Sequence, residues 1–565
     1  MRESSQPTRY PAGASRRASR LPALLPALAL AVPFVLSAPA AAQKITVPIG
    51  SGERKAEPLP GGERIELSLQ QAIGLALRNT LDLDVATYGY ERARFSLGSA
   101  EGLFDSYVAA DVSANRTESP ASRSFQTTLS ESQKGNVYFG GLLPWGTDYR
   151  VGWTNTRLDA PSAGTAGIPG YIEINPTYTS NAFVSVTQPI LRDFGKETNT
   201  RLIVQARIAR DQAAFGFVSS VQSTVQSVEN AYWDLLYALE NLKAKREALD
   251  RAKDLNRITR IKIDVGALAP IEIVQTEVTI AQREQEIIIA EGLIGDAQDK
   301  LKRILNVQGK ADWDRQIVPL DRPTEETATP DVEAGIEKAL RLRPEVKQAV
   351  VDIESKKVSF AYNRNQILPR LDFVGSYGLA GVGFNQSLEG PSGGVVERDY
   401  VDALYQIRGW EYPGWSVGLN FSLPILNRTA KGNAAAARVD LDLSRSSLAI
   451  LKQNLQVEVR AAARAIDTAR RSVAAAKKSR ELAERNLDAE KKKYENGMTT
   501  SFQVSQIQND LTSAQTIYLQ TVLLYMRSVT AWHKAVGDLL ETKDIELSGL
   551  PVATGPTAPE EGALR

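Results

Sequence analysis

Two stretches of this 565-residue chain contain no proline: residues 190–269, closed by Pro270, and residues 425–550, closed by Pro551. Proline removes a backbone donor and clashes with the preceding helical turn, so these gaps permit helices far longer than a compact domain needs. Each stretch opens within a similar phrase, Gln188-Pro189-Ile190-Leu191 in one and Leu423-Pro424-Ile425-Leu426 in the other. A phrase repeated at the mouth of two such runs predicts a chain built from two similar halves.

The first half is read over 67–305. A helix is expected from Leu67 to about Ala100, with Leu69, Ile73, Leu77 and Leu81 at helical spacing. A long helix follows over about 196–264, with Val221, Val225, Val228, Tyr232, Leu235, Leu239, Leu242 and Leu249 as a heptad-like seam. Asp264 to Pro270 breaks it, and a return helix runs over about 271–305. After a linker at 306–330, the cycle restarts over 331–541. Ile336 to Arg341 repeats the Ile-x-x-Ala-Leu-Arg of Ile73 to Arg78. The second long helix spans about 431–494, on a seam from Leu448 through Leu455, Val459, Ile466 and Val473 to Leu487. Asn496 to Thr500 breaks it, a return helix covers about 501–540, and 542–565 is expected to be a disordered tail. At ~1.5 Å per residue, a run of some 65 residues is a rod of about 100 Å.

Between the first and long helices of each half the pattern changes from period 3.6 to period 2. Strands are expected within 106–190, at Tyr107–Asn115, Asn136–Leu143, Asp148–Thr156 and Asn181–Gln188, and within 371–423, at Leu371–Gly383 and Gly414–Leu423. Pro144-Trp145-Gly146-Thr147 marks a tight turn, and Gly-rich loops lie at 155–181 and around Trp410 and Tyr412.

Residues 1–42 are expected to be an export signal. A basic start (Arg2, Arg9, Arg16, Arg17, Arg20) precedes an apolar stretch, Leu21 to Leu36, and a small-residue cut site before Gln43. Arg16-Arg17 also permits a twin-arginine reading. Residues 43–66 form a polar lead-in. The signal carries five arginines against Glu3, a charge of +4, so the mature chain is −3 of a total of +1, which is no footprint for nucleic acid. The chain has no cysteine, hence no disulfides and no thiol for a lipid anchor.

Rods alone would fit a secreted coiled coil, but such a protein has no reason to hold amphipathic strands with aromatic ends. Only helices and closed barrels satisfy their backbone inside lipid. Trp145, Tyr149, Trp153, Phe183, Phe373, Tyr377, Trp415 and Phe421 would supply an interfacial girdle. Four to six strands are too few to close a barrel, so several chains must share one.

On this order of elements, the two Pro-Ile-Leu phrases and two helix-tip glycines, the chain resembles the TolC-like outer membrane efflux protein family over roughly 66–541. The tip phrases align Gly266 with Gly497, Ile271 with Phe502, Ile273 with Val504 and Gln275 with Gln506. The resemblance implies a mixed α+β membrane protein. Three chains would share a transmembrane β-barrel continued by a periplasmic barrel of antiparallel coiled-coil helices, which meets an inner-membrane pump through a periplasmic adaptor. The family gives two strands per half. The extra hairpin at 136–157 therefore either enlarges the barrel or decorates an ordinary one of twelve strands, and the second is the expectation.

The resemblance assigns Val265, Gly266, Ala267, Leu268, Gly497, Met498 and Thr499 to adaptor-docking turns. The family's acidic ring, six and nine residues after the second tip glycine, falls here on Gln503 and Gln506, which leaves Glu272, six after Gly266, as the candidate carboxylate. Tyr494 matches a family tyrosine that holds the closed state, whereas the family's arginine two residues after the glycine is replaced by Thr499. His533, the sole histidine, is expected to be structural. No cofactor, metal or enzymatic chemistry is expected, and no nucleic-acid partner. The expected function is a trimeric outer-membrane exit duct for small toxic compounds or metal ions. Type I protein secretion and a channel-less coiled-coil envelope protein are the alternatives.

Overall fold

The computed structural model describes residues 45–49, 59–61, 64–120, 129–161, 172–323, 330–388 and 394–549. The expected export signal lies outside them, as does most of the expected tail. The chain begins with strands β1 (Ile45–Pro48) and β2 (Arg64–Leu67). Helix α1 (Leu69–Asn79) starts in a capping box, in which the Ser68 hydroxyl accepts from the Gln71 N–H and the Gln71 side chain accepts from the Ser68 N–H. Helix α2 (Leu81–Glu101) leads to four strands, β3 (Tyr107–Glu118), β4 (Leu129–Leu142), β5 (Asp148–Asp159) and β6 (Ile172–Pro189). Then come α3 (Lys196–Asn199), α4 (Arg201–Asp264), α5 (Ile271–Ile304), α6 (Lys310–Asp314) and β7 (Gln316–Pro319).

The next elements are α7 (Val332–Leu342), α8 (Pro344–Asn365), β8 (Arg370–Leu388), β9 (Val395–Arg398), α9 (Tyr400–Gly409) and β10 (Pro413–Ser422). Helices α10 (Arg428–Glu495), α11 (Ser501–Val536) and α12 (Leu539–Thr542) and strand β11 (Ile545–Ser548) complete the described chain. The helix expected over Asp331–Asn365 is broken at Pro344, which sits in the first turn of α8 where its missing N–H costs nothing. At 64 and 68 residues, α4 and α10 are each about 100 Å long.

Beside the strands the helices neighbour one another in the order α2, α4, α8, α10; at the far ends the order is α5, α4, α11, α10. The largest apolar cluster gathers α1, β1, β2 and β7 around the middle of α4. Its centre is Tyr232, fully buried, whose single hydroxyl proton is shared between Leu67 O (3.1 Å) and Asp321 Oδ2 (3.0 Å) and whose oxygen accepts from Asp321 N–H (3.1 Å). Burial pushes the Tyr232 phenol well above its usual range. Strands β2 and β7 pair in parallel here, and so do β1 and β11. The tail is thus ordered as far as a strand at Ile545–Ser548, contrary to expectation, because Ile545 and Leu547 enter the cluster that β1 lines.

The long strands form one antiparallel sheet in the order β10-β8-β6-β5-β4-β3, with β9 pairing at the far end of β8. The extra hairpin does not decorate the sheet. β4 and β5 are inserted between β3 and β6, paired along their whole length, so the described residues supply six long strands rather than four. Gly146 makes the hairpin turn (φ +91°), and a Cβ there would lie 2.6 Å from Asp193 O.

Side chains alternate across a strand, so the register sorts them onto two faces. One face carries Val108, Ala110 and Val112 (β3); Val137 and Phe139 (β4); Tyr149, Val151 and Trp153 (β5); Ala182, Val184 and Val186 (β6); Leu371, Phe373, Tyr377 and Leu379 (β8); and Trp415, Val417, Leu419 and Phe421 (β10). The other face carries Asp111, Ser113, Lys134, Asn136, Arg150, Thr154, Thr179, Asn181, Ser185, Asp372, Ser376, Ser416 and Asn420. Six of the eight expected girdle aromatics lie on the apolar face. Phe183 does not: its register places it on the polar face, where its ring lies 6.4 Å from that of Tyr138 above Gly152. Trp145 sits in the β4–β5 turn.

The loop around Trp410 is also more ordered than expected. Helix α9 packs on the apolar face of β8 and β6, with Asp399 capping its N-terminus. Gly381 admits this approach: a Cβ there would lie 2.0 Å from Ala403 O. Gly381→Val should therefore lift α9 off the sheet, and limited proteolysis should cut within 395–412 much faster than in the parent. An unchanged cleavage pattern would refute this packing.

Candidate functional site

Helices α4 and α10 end in the same way. Gly266 and Gly497 both have φ +74°. Gly266 N–H donates to Ile263 O (2.9 Å) and Ala267 N–H to Lys262 O (2.8 Å); Gly497 N–H donates to Tyr494 O (3.1 Å) and Met498 N–H to Lys493 O (2.9 Å). These paired bonds satisfy the last carbonyls of each helix and require a left-handed residue in the turn. A Cβ at either glycine would meet nothing within 4 Å, so conformation alone selects glycine.

The two turns are fastened to each other. Tyr494 is buried in an apolar cluster with Leu255, Leu487, Val504, Ile507 and Leu511, against which Leu268 packs. Its hydroxyl lies 2.7 Å from Thr259 Oγ1. Thr259 already donates to Leu255 O (2.8 Å), so Tyr494 is the donor between them. Burial raises the Tyr494 phenol pKa, against an opposing pull from the Thr259 hydrogen bond, so it remains a neutral donor at physiological pH. The Lys262 ammonium lies 4.2 Å from the centre of the Tyr494 ring and donates to Tyr494 O and, at 3.4 Å, to Glu495 O. A cation from α4 thereby caps the C-terminus of α10.

Glu272, in the first turn of α5, accepts a hydrogen bond from Ser501 Oγ at the start of α11. Thr499 and Lys493 hydrogen-bond Glu490, which holds that carboxyl below its usual range. Thr500 caps α11 by accepting from Gln503 N–H (3.3 Å). Of the sequence-predicted residues, Glu272, Leu268 and Tyr494 are drawn into the contact between the turns. Val265, Gly266, Ala267, Gly497 and Met498 are exposed at the extremity, Thr499 is half-buried, and Gln503 and Gln506 point to solvent on α11. Sequence reasoning missed Thr259, Lys262 and Ser501. Lys262 alone carried a signal, as a basic residue in the last turn of a helix.

A second polar layer lies further from the turns. Buried Arg283 on α5 binds both Glu286 oxygens (3.0 and 2.8 Å) and Asn509 of α11, while Lys245 of α4 donates to Glu286 (2.9 Å). Partial burial favours neutral Glu286, but Lys245 and Arg283 outweigh it and hold its pKa below the ordinary value. Thr276, Ser505, Gln508 and Thr512 are buried here too. At the other end of α11, His533 Nδ1 lies 2.9 Å from Asp538 Oδ1, beyond the helix.

Among the described residues no helix is long and apolar enough to cross a membrane. A sheet apolar on one face and polar on the other, joined to rods of about 100 Å, has the construction of an outer-membrane channel. The chain belongs to the outer membrane efflux protein family, whose pattern matches residues 171–307 and 335–538, a span that includes both turns. It is 24% identical to Nodulation protein T of Rhizobium leguminosarum bv. trifolii over 375 residues, covering 64% of this chain and 73% of that one. It is 22% identical to the pyoverdine export outer membrane protein OpmQ of Pseudomonas aeruginosa over 324 residues, 56% of this chain and 62% of that one. The fold matches the Campylobacter jejuni CmeC outer membrane channel with a TM-score of 0.60 at 17% identity, over 85% of this chain and 90% of that one. The protein is thus an outer-membrane protein of a transport family.

Tyr494→Phe removes one hydrogen bond, worth about 1 kcal/mol. Amide exchange in the last turn of α4 and the first turn of α11 should accelerate about fivefold on that figure, with the sheet unaffected. Equal exchange in both proteins would show that the Thr259 bond does not hold the turns together.

Proposed function

We propose that three copies of this chain close head to tail into one exit duct. Its eighteen-stranded barrel would cross the outer membrane and continue as a tunnel of helices, and the chain's two halves would be repeats of one unit. The observation that carries this reading is the state of the sheet's edges. Edge strands β3 and β10 are exposed along almost their entire length. With six strands the two edges run in opposite directions, so β10 of one copy can pair antiparallel with β3 of the next, and the backbone is satisfied only when the ring is complete.

The helices at the same two edges support this closure. Helix α2, which feeds β3, exposes Leu81, Val85, Tyr88 and Phe95 at helical spacing. Helix α10, which follows β10, exposes Val439, Leu443, Ile450 and Val457. Two apolar stripes on opposite flanks of one subunit form a heterologous contact, the kind that closes rings. The number three is taken from the family resemblance. Strands ~4.8 Å apart and tilted ~40° give eighteen a barrel radius of about 18 Å, against about 12 Å for twelve.

The tips would be the gate, where Val265 to Leu268 and Gly497 to Thr499 meet a periplasmic adaptor and the Tyr494–Thr259–Lys262 contact holds the closed state. Glu272 is occupied by Ser501, and Gln503 and Gln506 are neutral, so polar hydrogen bonds rather than an acidic ring would close this end. Cargo would be small toxic compounds or metal ions delivered by an inner-membrane pump, in keeping with the pyoverdine export named for OpmQ.

In detergent the purified protein should have the mass of three chains, and Val85→Glu with Leu443→Glu should reduce it to one. A monomer soluble without surfactant would end this reading. In planar bilayers, Tyr494→Phe with Lys262→Met should raise the open fraction at least about fivefold, the equivalent of ~1 kcal/mol. Unaltered conductance in intact trimers would exclude these residues from the gate.

A further inference from the structure

The apolar face of the sheet stops at a defined row. On β5, β6 and β8 the run of apolar side chains ends at Trp153, Ala182 and Leu379, and the next residues on that face are Asn155, Ser180 and Gly381, aligned with one another. On β3 the same face continues to Ala114 and then becomes Arg116 and Glu118. Leu371 to Leu379 on β8 spans about 20 Å along the barrel axis at ~3.4 Å per residue and ~40° tilt, close to the band of ~25 Å that outer-membrane barrels present to lipid.

Helix α9 lies just past that row, on the outside. It runs along β8 from Gly383, against Asp399 O, past Gly381, against Ala403 O, toward Tyr377, whose ring meets that of Trp410 (6.1 Å between centres). It is fixed by polar contacts. Gln406 stands in for a missing strand by accepting from Val382 N–H (2.9 Å) and donating to Val382 O (3.0 Å). Tyr400 OH donates to Asn155 Oδ1 (2.6 Å), which also accepts from the buried Ser180 hydroxyl (2.7 Å), and Trp153 Nε1 donates to Ser180 Oγ (2.8 Å). The helix is therefore held on the sheet independently of anything outside it.

Its outward stripe is the wrong kind for water. Val401, Tyr405 and Arg408 occupy it, followed by Trp410 and Tyr412, and Tyr405, Trp410 and Tyr412 are 62%, 62% and 57% exposed. Trp410 also adopts a left-handed conformation (φ +56°), at a cost of roughly 1–2 kcal/mol that glycine would avoid. A strained tryptophan whose ring is mostly exposed is not held there by core packing. Amphipathic aromatics at the rim of an apolar band are the signature of the lipid headgroup level.

We propose that α9 and the Trp410–Tyr412 turn form an external anchor in the headgroup zone of the outer leaflet. The aromatics lie at the boundary between acyl chains and headgroups, and Arg408 reaches lipid phosphate. The anchor would set the depth of the barrel in the membrane. The inference rests on the apolar face being the lipid face.

The absence of native cysteine allows single-cysteine spin labels to be placed cleanly. Tyr405→Cys and Trp410→Cys would be labelled in vesicles of phosphatidylethanolamine and phosphatidylglycerol, beside Val417→Cys in the mid-band and Ser416→Cys on the polar face. Collision with oxygen and with an aqueous nickel chelate would be measured. The expected result is nickel accessibility at 405 and 410 severalfold below that at 416, and oxygen accessibility between those at 416 and 417. Nickel accessibility equal to that at 416, or exclusion of both reagents by a protein neighbour, would overturn the anchor. If the 417 label itself collides freely with nickel, the lipid face is wrong and the anchor falls with it.

Discussion

Inside a bilayer an unpaired peptide group has no water to turn to. That constraint organises this molecule. It requires that the strands have no free edge, and the six long strands among the described residues leave β3 and β10 open on opposite flanks. The apolar flanks of α2 and α10 fall on the same two sides, so the helical and sheet parts of the chain expose unpartnered surface in the same places.

The middle and the ends of the long helices are held by different chemistry. Around the middle of α4 a broad apolar cluster surrounds Tyr232, and it resists separation because pulling the helices apart would bring apolar surface into water. Between that cluster and the turns the seam is largely polar, with Arg283, Gln508, Ser505 and Thr512 buried between helices, and the turns themselves close on a smaller apolar cluster around Tyr494. A polar seam can exchange protein partners for water at modest net cost when it opens. The contact between the turns thus joins a small apolar cluster to hydrogen bonds from Tyr494, Lys262 and Ser501.

Much of this was legible in the sequence for definite reasons. Gly266 and Gly497 could be aligned because a helix reversal needs a left-handed residue, and the phrases around them match. The strands declared themselves by alternation, as in Val184-Ser185-Val186-Thr187. What was hidden depended on partners distant in sequence. Phe183 looked like a girdle residue, and only the pairing with Gly152 shows it on the polar side. The β4–β5 hairpin read clearly as a hairpin, but nothing local says whether a hairpin enters a sheet or rides on it. Helix α9 was masked by the glycines that surround it, which are there to admit it. The bond between Tyr494 and Thr259 joins residues 235 positions apart, beyond the reach of any local pattern.

Strand β1 lies only two residues beyond the expected processing site, and it pairs with β11, near the opposite terminus. Among the described residues the first strand of the chain is therefore closed by the last. An export intermediate stalled before Ile545 would carry Ile45 and Val47 without the strand that covers them. The cluster around the middle of α4 is therefore complete only when the chain runs from Ile45 through Ser548.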